Sequence, residues 1–167
     1  MTMDVRSVRF SGLGVAELRA ESIDSEVGPT SLLVRSVVSL ISTGTELNVF
    51  RGRVATPREV ALPMMRGEFP FPIKFGYQVV GRVERAGSES RCHEGDLVLA
   101  QHPHQNALVI DESLVQPAPD GVTPRQAALA TSSQCRGELS SACSPLTWPG
   151  RRPGRSSSSN RRHGPMG

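Results

Sequence analysis

Short strand-like stretches separated by turn residues dominate the first 131 residues of the chain. Val5–Phe10 and Val15–Ala20 place charged residues between apolar ones, and the glycine-containing turn between them indicates a β-hairpin. Further strands are predicted where β-branched and aliphatic residues cluster between turns, over Ser31–Ile41, Phe75–Ala86, Leu97–Ala100 and Gln105–Ile110. This pattern favours a mainly β fold, a barrel or a sandwich, over a helical bundle.

Glycine, threonine and proline mark the bends and the short helices of this predicted fold. Gly81, inside a strand, predicts a bulge or a close approach by a neighbouring backbone. Thr45–Arg51 has the composition of a short helical turn, with Thr45 as a candidate N-cap. Thr123 and Pro124 are typical of the N-cap and first position of a second helix.

The last 36 residues differ sharply from the rest. Ser, Arg, Gly and Pro make up 24 of them, without apolar periodicity, so we expect residues 132–167 to form a disordered tail after a folded domain of residues 1–131. Arginine outnumbers lysine 18 to 1 in the chain, which suggests GC-rich codons and a frameshift near residue 131. The alternative is a genuine basic tail that contacts anionic partners.

The distribution of charge and the length of the apolar runs argue against a nucleic-acid-binding fold, a membrane span and a secreted protein. The folded part carries 13 basic and 15 acidic residues, and the tail 6 and 1, so the net charge of +3 is no argument for nucleic-acid binding by the fold. No apolar run approaches the roughly 18 residues of a membrane span, and the N-terminus lacks a signal segment, so we expect a cytoplasmic protein. The three cysteines, Cys92, Cys135 and Cys143, are expected to be reduced thiols.

Several glycine, proline and acidic positions together resemble the N-terminal, GroES-like domain of the medium-chain dehydrogenase/reductase superfamily, also called alcohol-dehydrogenase-like. The resemblance covers about residues 30 to 131. It rests on Val37–Glu46 with Phe50–Gly52, on Phe71–Gly87 with Gly95–Val98, and on Pro103–Gln105 with Leu114–Val115, Pro119–Val122 and Ala127–Leu129.

The resemblance implies a distorted β-barrel with short helices, followed in complete relatives by a Rossmann domain that binds NAD(H) or NADP(H). The glycine-rich turn of such a domain is missing from this sequence. We therefore expect the substrate-side domain of a truncated oxidoreductase, inactive alone, whose complete relatives are homo-oligomers acting on a carbonyl, an alcohol or an activated alkene. The alternative is a non-catalytic barrel module, or a pseudogene product, with a basic tail.

The positions that hold catalytic zinc in zinc-dependent relatives are substituted. Thr43 stands at the cysteine position, Tyr77 at the histidine position and Gln78 at the neighbouring glutamate position. A hydroxyl, a phenol and an amide are weak zinc donors compared with thiolate, imidazole and carboxylate. We therefore expect no catalytic zinc, and these three residues to line a substrate cleft together with Glu46.

Without zinc, side chains must polarise the substrate oxygen and handle the proton. Thr45 occupies the position of the superfamily's proton-relay hydroxyl, and Tyr77 would place its phenol where a metal ligand points. Simpler interpretations stay open, since Thr45 is equally suited to an N-cap and Tyr77 to a half-buried barrel position bonded to the backbone.

Two histidines and one acid complete the candidates. His102 and His104 lie two residues apart and are compatible with a metal pair or a general acid, or with a proline-containing turn whose imidazoles are partly exposed. We include His104 among the candidate catalytic residues. Glu46 either orients a neighbouring side chain or interacts with the dipole of the short helix.

Overall fold

The computed structural model describes residues 1–54 and 66–134, with side chains described up to Leu129. Two helices, α1 (Thr45–Phe50) and α2 (Pro124–Gln134), and a 3-10 turn at Glu112–Leu114 accompany nine strands in these residues. The strands are β1 (Thr2–Gly12), β2 (Val15–Asp24), β3 (Ser31–Ser39), β4 (Arg66–Gly67), β5 (Ile73–Lys74), β6 (Val79–Ala86), β7 (Leu97–Ala100), β8 (Ala107–Asp111) and β9 (Val115–Pro117). The predicted mainly β fold is confirmed.

Two antiparallel sheets form the body of the molecule. One has the strand order β2-β1-β5-β4, and the other has the order β8-β3-β6-β7-β9. They meet where β1 runs beside the segment that leads into β8. There, the backbone N–H of Val8 donates to the His104 carbonyl at 2.9 Å, and that of Asn106 donates to the Arg6 carbonyl at 3.1 Å. This junction continues the hydrogen-bonded wall from one sheet to the other, as a distorted barrel requires.

Three apolar clusters hold the sheets and helices together. The largest lies inside the five-stranded sheet and contains Leu32, Val34, Val79, Val83, Val98, Leu108 and Ile110. A second contains Phe10, Val49, Ile73 and Phe75, and it fixes α1 against β1 and β5. A third packs Ala127 and Ala128 of α2 on Val80 of β6. Burial of these side chains stabilises the barrel and sets the position of both helices.

The strands follow the sequence pattern but differ from it at several ends, and two of these differences lie near the candidate site residues. The hairpin is confirmed as β1 and β2, with Gly14 at φ +69° in its turn. The strand predicted from residue 75 begins at Val79, so residues 75–78 form an irregular segment between β5 and β6. The strand predicted to reach residue 41 ends at Ser39. Both differences leave irregular backbone close to the candidate site residues.

Gly81 lies where two backbones approach closely. A Cβ atom at this position would lie 2.5 Å from the Arg35 carbonyl oxygen and 2.5 Å from a methyl group of Val34. The β3–β6 register also shifts between Leu33 and Val34 and between Ser36 and Val38. The predicted close approach and irregular pairing are therefore confirmed, since a side chain here would push the strands apart.

The two helices differ in how they begin. The N-cap of α1 is Gly44, which makes no side-chain cap, and Thr45 is the first helical residue, so the N-cap interpretation of Thr45 is wrong. In α2, the Thr123 hydroxyl accepts from the Gln126 N–H at 3.3 Å, and the Gln126 side chain accepts from the Thr123 N–H at 3.0 Å. This capping box confirms the predicted start of α2.

Helix α2 runs to Gln134, three residues beyond the boundary expected at residue 131. The disorder expected for the rest of the tail, with Cys135 and Cys143, concerns residues 135–167, which lie outside the described part of the chain. None of the described helices has the length and apolar character needed to cross a membrane.

Candidate functional site

Three segments that are distant in sequence meet at one end of the five-stranded sheet. The backbone N–H of Leu40 donates to the Gln78 carbonyl at 3.1 Å, which extends the β3–β6 pairing into the irregular segment. On the other side of β3, the Ser36 N–H donates to the Asn106 carbonyl at 3.0 Å. The end of β3 thus leads to α1 and lies between the segments that carry Tyr77 and His104.

Glu46 and His104 form a buried pair between two of these segments. The Glu46 Oε2 atom lies 2.8 Å from the His104 Nε2 atom, and the two side chains are 0% and 5% exposed. The partly exposed imidazole expected for His104 is therefore wrong, because the ring is enclosed between α1 and the irregular segment before β6. The Glu46 carboxylate, expected either to orient a neighbour or to serve the helix dipole, is bonded to an imidazole.

Gly76 completes the surroundings of the His104 ring. It adopts φ +131°, and a Cβ atom there would lie 2.9 Å from both Cδ2 and Nε2 of His104. Only glycine accepts this conformation and this contact without strain. Gly76 was not predicted as a site residue, although its position directly before Tyr77 in the Phe71–Gly87 segment was a usable signal.

Three of the candidate residues hold buried polar atoms that lack a hydrogen-bond partner among the described residues. These atoms are Glu46 Oε1, Gln78 Oε1 and His104 Nδ1. Leaving such an atom unpaired costs about 1–3 kcal/mol, so each one calls for a physical reason. Three further such atoms lie elsewhere, on Ser7, Arg9 and Gln116, but only here do they fall on the predicted site residues of all three segments, which makes this end of the sheet the candidate functional site.

The remaining candidates lie closer to the surface. Thr43 is exposed in the turn before α1, and Thr45 and Tyr77 are half-buried. Each of the two half-buried hydroxyl residues is adjacent in the chain to a residue that contacts the His104 ring or bonds to it. Thr45 precedes Glu46, and Tyr77 follows Gly76. The six candidates thus divide into a buried group, Glu46, Gln78 and His104, and an outer group, Thr43, Thr45 and Tyr77.

His102 does not share the environment of His104. Its Nδ1 lies 2.8 Å from the Pro103 carbonyl oxygen, and its ring borders a cavity of about 350 Å³ that Arg66 and Lys74 also line. Burial lowers the pKa of His102 to about 4, although the bond to Pro103 acts in the opposite direction. Within residues 1–54 and 66–134, no group of three or more His, Cys, Asp or Glu side chains could hold a metal ion.

A second polar network includes two residues that line this cavity, Lys74 and Gln105. The Lys74 ammonium donates to Glu21 Oε1 and to the Gln105 side chain, and Arg9 donates to Glu21 Oε2 at 2.9 Å. Burial acts to raise the pKa of Glu21, but the hydrogen bonds, led by that from Lys74, outweigh it and lower the pKa to about 2. This network ties β2 to β1, to β5 and to the segment before β8.

Comparisons with known proteins identify the architecture. No family model matches the sequence, and no curated protein matches it. Among solved structures, a quinone oxidoreductase from Pseudomonas syringae is similar, with 23% identity over 74% of this chain and 36% of that chain, at a TM-score of 0.52. CAD from Helicobacter pylori, complexed with NADP(H), is 14% identical over 81% and 49% of the two chains, at a TM-score of 0.58.

A third similar structure is a mutant of Etr1p in complex with NADP and crotonyl-CoA. It is 17% identical over 77% of this chain and 40% of that chain, at a TM-score of 0.58. The present chain therefore spans less than half the length of each of these three structures. It has the fold of the GroES-like N-terminal domain of medium-chain dehydrogenases/reductases, and the resemblance drawn from the sequence is confirmed at the level of the fold.

The described residues do not fit the coenzyme that this architecture implies. A dinucleotide pyrophosphate is held by a glycine-rich turn between a strand and the N-terminus of a helix. The connection from β9 to α2 has one glycine, Gly121, and its helix begins with Pro124, which lacks an N–H donor. The described residues therefore offer no turn of this kind to a pyrophosphate.

Proposed function

We propose that this chain is the substrate-side domain of an NAD(P)-dependent medium-chain oxidoreductase that acts on a carbonyl, an alcohol or an activated alkene. Thr45, Tyr77 and His104 handle the proton and the substrate oxygen, and Thr43, Glu46 and Gln78 line the cleft. The polypeptide by itself is expected to be inactive, since hydride transfer requires a donor held beside the substrate and the described residues offer no such site.

The observation that supports this proposal is the meeting of the three segments at the Glu46–His104 contact. Their residues are far apart in sequence, yet Glu46 and His104 form a buried acid–imidazole pair, and the half-buried Thr45 and Tyr77 adjoin this pair along the chain, next to Glu46 and to Gly76. Hydroxyl and imidazole groups are suited to proton transfer during reduction or oxidation of an oxygen function. The similar structures, which include a quinone oxidoreductase and two NADP complexes, support the reaction class.

The donor set supports a reaction without catalytic zinc. Thr43, Tyr77 and Gln78 stand where the zinc ligands and the adjacent glutamate of zinc-dependent relatives stand, and neutral oxygen donors of this kind bind Zn²⁺ weakly. The buried imidazole of His104 is already bonded to a carboxylate. We therefore expect the activity of a complete enzyme to survive a metal chelator.

A chimera tests the proposed function. Residues 1–134 are joined to the coenzyme domain of the Pseudomonas syringae quinone oxidoreductase, and NADPH oxidation is measured with quinones, aldehydes, ketones and enoyl thioesters. We expect turnover of at least one class, reduced about 100-fold by Tyr77→Phe or Thr45→Val because a positioned proton-transfer group contributes about that factor. His102→Gln is the matched control and should leave the rate unchanged.

Two results would contradict the proposal. Turnover that is unaffected by both Tyr77→Phe and Thr45→Val would remove the assigned roles, and the absence of turnover from a folded chimera that binds NADPH would remove the reaction class. Calorimetric titration of the 167-residue chain with NADPH and NADH is the companion measurement. Micromolar affinity would overturn the expectation that this polypeptide does not hold the coenzyme.

A further inference from the structure

The buried Glu46–His104 pair adjoins both hydroxyl residues of the proposed site along the chain. Glu46 follows Thr45 in the first turn of α1, and the His104 ring packs against Gly76, which precedes Tyr77. The pair therefore joins the two segments that carry Thr45 and Tyr77. The pair itself is enclosed and does not form part of the exposed surface.

The hydrogen-bonding capacity of the two side chains restricts where the shared proton resides. An ionised carboxylate only accepts hydrogen bonds, so its partner, His104 Nε2, must then donate. In a neutral ring the other nitrogen, Nδ1, is then left with a lone pair. In the opposite arrangement a protonated Glu46 would donate to Nε2, and Nδ1 would carry the hydrogen.

The surroundings of Nδ1 discriminate between these two arrangements. Nδ1 is buried and has no hydrogen-bond partner among the described residues. A buried N–H without an acceptor is rarer in native proteins than a buried acceptor that is left short of a donor. The unpartnered atom is therefore more compatible with a lone pair on Nδ1 than with a hydrogen, and this places the hydrogen on Nε2, facing Glu46.

We propose that Glu46 is a positioning residue that holds His104 in the tautomer protonated on Nε2, so that Nδ1 is the proton-accepting end of the site. In this arrangement Nε2 stays bonded to Glu46, and the lone pair on Nδ1 is the one position on the ring that can accept a proton. This role rests on the proposed oxidoreductase function. The tautomer itself does not, and it is measured without substrate or coenzyme.

The test is a two-bond nitrogen–proton correlation spectrum of the 167-residue chain at neutral pH, labelled with ¹⁵N-histidine and assigned by single His→Gln variants. His104 is expected to show one population, protonated on Nε2. His102 is the internal control with the opposite assignment, because its Nδ1 faces the carbonyl of Pro103, which accepts only. A His104 ring protonated on Nδ1, or on both nitrogens, or divided between tautomers, would overturn the proposal.

Glu46→Gln then tests whether Glu46 is the residue responsible. A glutamine amide keeps the shape but can donate as well as accept, so the Nδ1-protonated form of His104 should rise at least about tenfold in population. The His102 signals should stay unchanged. If the variant folds and His104 keeps a single Nε2-protonated population, Glu46 is not the positioning residue; if the variant does not fold, the wild-type spectrum still decides the tautomer.

Discussion

Glu21 and Glu46 each bond to a nitrogen-containing side chain inside the same barrel, but their surroundings differ. Both oxygens of Glu21 accept hydrogen bonds, one from Lys74 and one from Arg9, and its side chain is 22% exposed. Glu46 is 0% exposed, and only its Oε2 is bonded, to His104. The Glu21 carboxylate completes a network that connects strands. Glu46 has one oxygen without a hydrogen-bond partner, and it is bonded to an imidazole that has one nitrogen without a partner among the described residues.

This difference separates a structural network from a candidate site. A buried charge is stable only when its partners are complete, and removal of one partner leaves the other charge uncompensated. Glu21 has a second cation and some solvent to compensate such a loss, whereas Glu46 has neither among its described contacts. The two carboxylates should therefore respond unequally to loss of their partners, and that inequality can be measured.

Removal of the His104 imidazole should have the largest effect. His104→Leu leaves the Glu46 carboxylate fully buried without its hydrogen-bond donor, which should lower the free energy of unfolding by about 3 kcal/mol in urea denaturation. The double variant Glu46→Met with His104→Leu replaces the pair by apolar groups and should recover a large part of that loss. Equal losses in the single and double variants would show that packing of the ring, and not the stranded carboxylate, sets the stability.

Removal of the Lys74 ammonium should have a smaller effect. Lys74→Met leaves Glu21 bonded to Arg9 and partly solvated, so we expect a loss of about 1–3 kcal/mol in the free energy of unfolding at neutral pH. The pKa of Glu21 is held at about 2, below its unfolded value, so this stabilisation is present above the unfolded pKa and is lost as the pH falls toward 2.

The acid side of this second prediction can be checked by the same denaturation series. The difference between wild type and Lys74→Met should shrink as the pH falls from about 5 toward 2, because both forms then carry a protonated Glu21. Lys74→Met also removes the hydrogen bond to the Gln105 side chain, but an amide does not titrate, so that part of the loss should stay constant with pH; making the comparison in a His102→Gln background removes the titration of His102. A difference that stays constant down to pH 2 would contradict the assigned role of Glu21.

The sequence predicted features that depend on local chemistry. Leu97–Ala100 was predicted from its aliphatic run, and Thr123 was predicted from cap chemistry that the residue three positions later completes. Thr45 failed as a cap because the backbone bends one residue earlier, at Gly44. The Glu46–His104 contact joins residues 58 positions apart. It depends on the pairing of β8 with β3, which no local pattern contains, so the sequence supplied the candidates but not their partnership.

His102 is an imidazole that is bonded to a backbone carbonyl and has no carboxylate partner among the described contacts. Its pKa, lowered by burial to about 4 from the ordinary 6.5, means that below pH 6.5 the unfolded chain takes up a proton that the folded ring refuses. Stability should therefore fall as the pH drops from 6.5 to 4. His102→Gln should reduce that loss by about 1 kcal/mol, since the ring is only half-buried. Identical pH profiles for the variant and wild type would contradict the assignment.

The outer bond of the Glu21 network should matter least. Arg9 and Glu21 are bonded at 2.9 Å, but their side chains are 31% and 22% exposed, and ion pairs in such positions contribute about 0.2–1 kcal/mol. Arg9→Gln should lower the free energy of unfolding by that amount at low salt and by less in 1 M salt, where screening is strong. Because Lys74 still bonds Glu21 in this variant, the network survives. A loss as large as that from Lys74→Met would mean that Glu21 depends on both cations together and would weaken the contrast with Glu46.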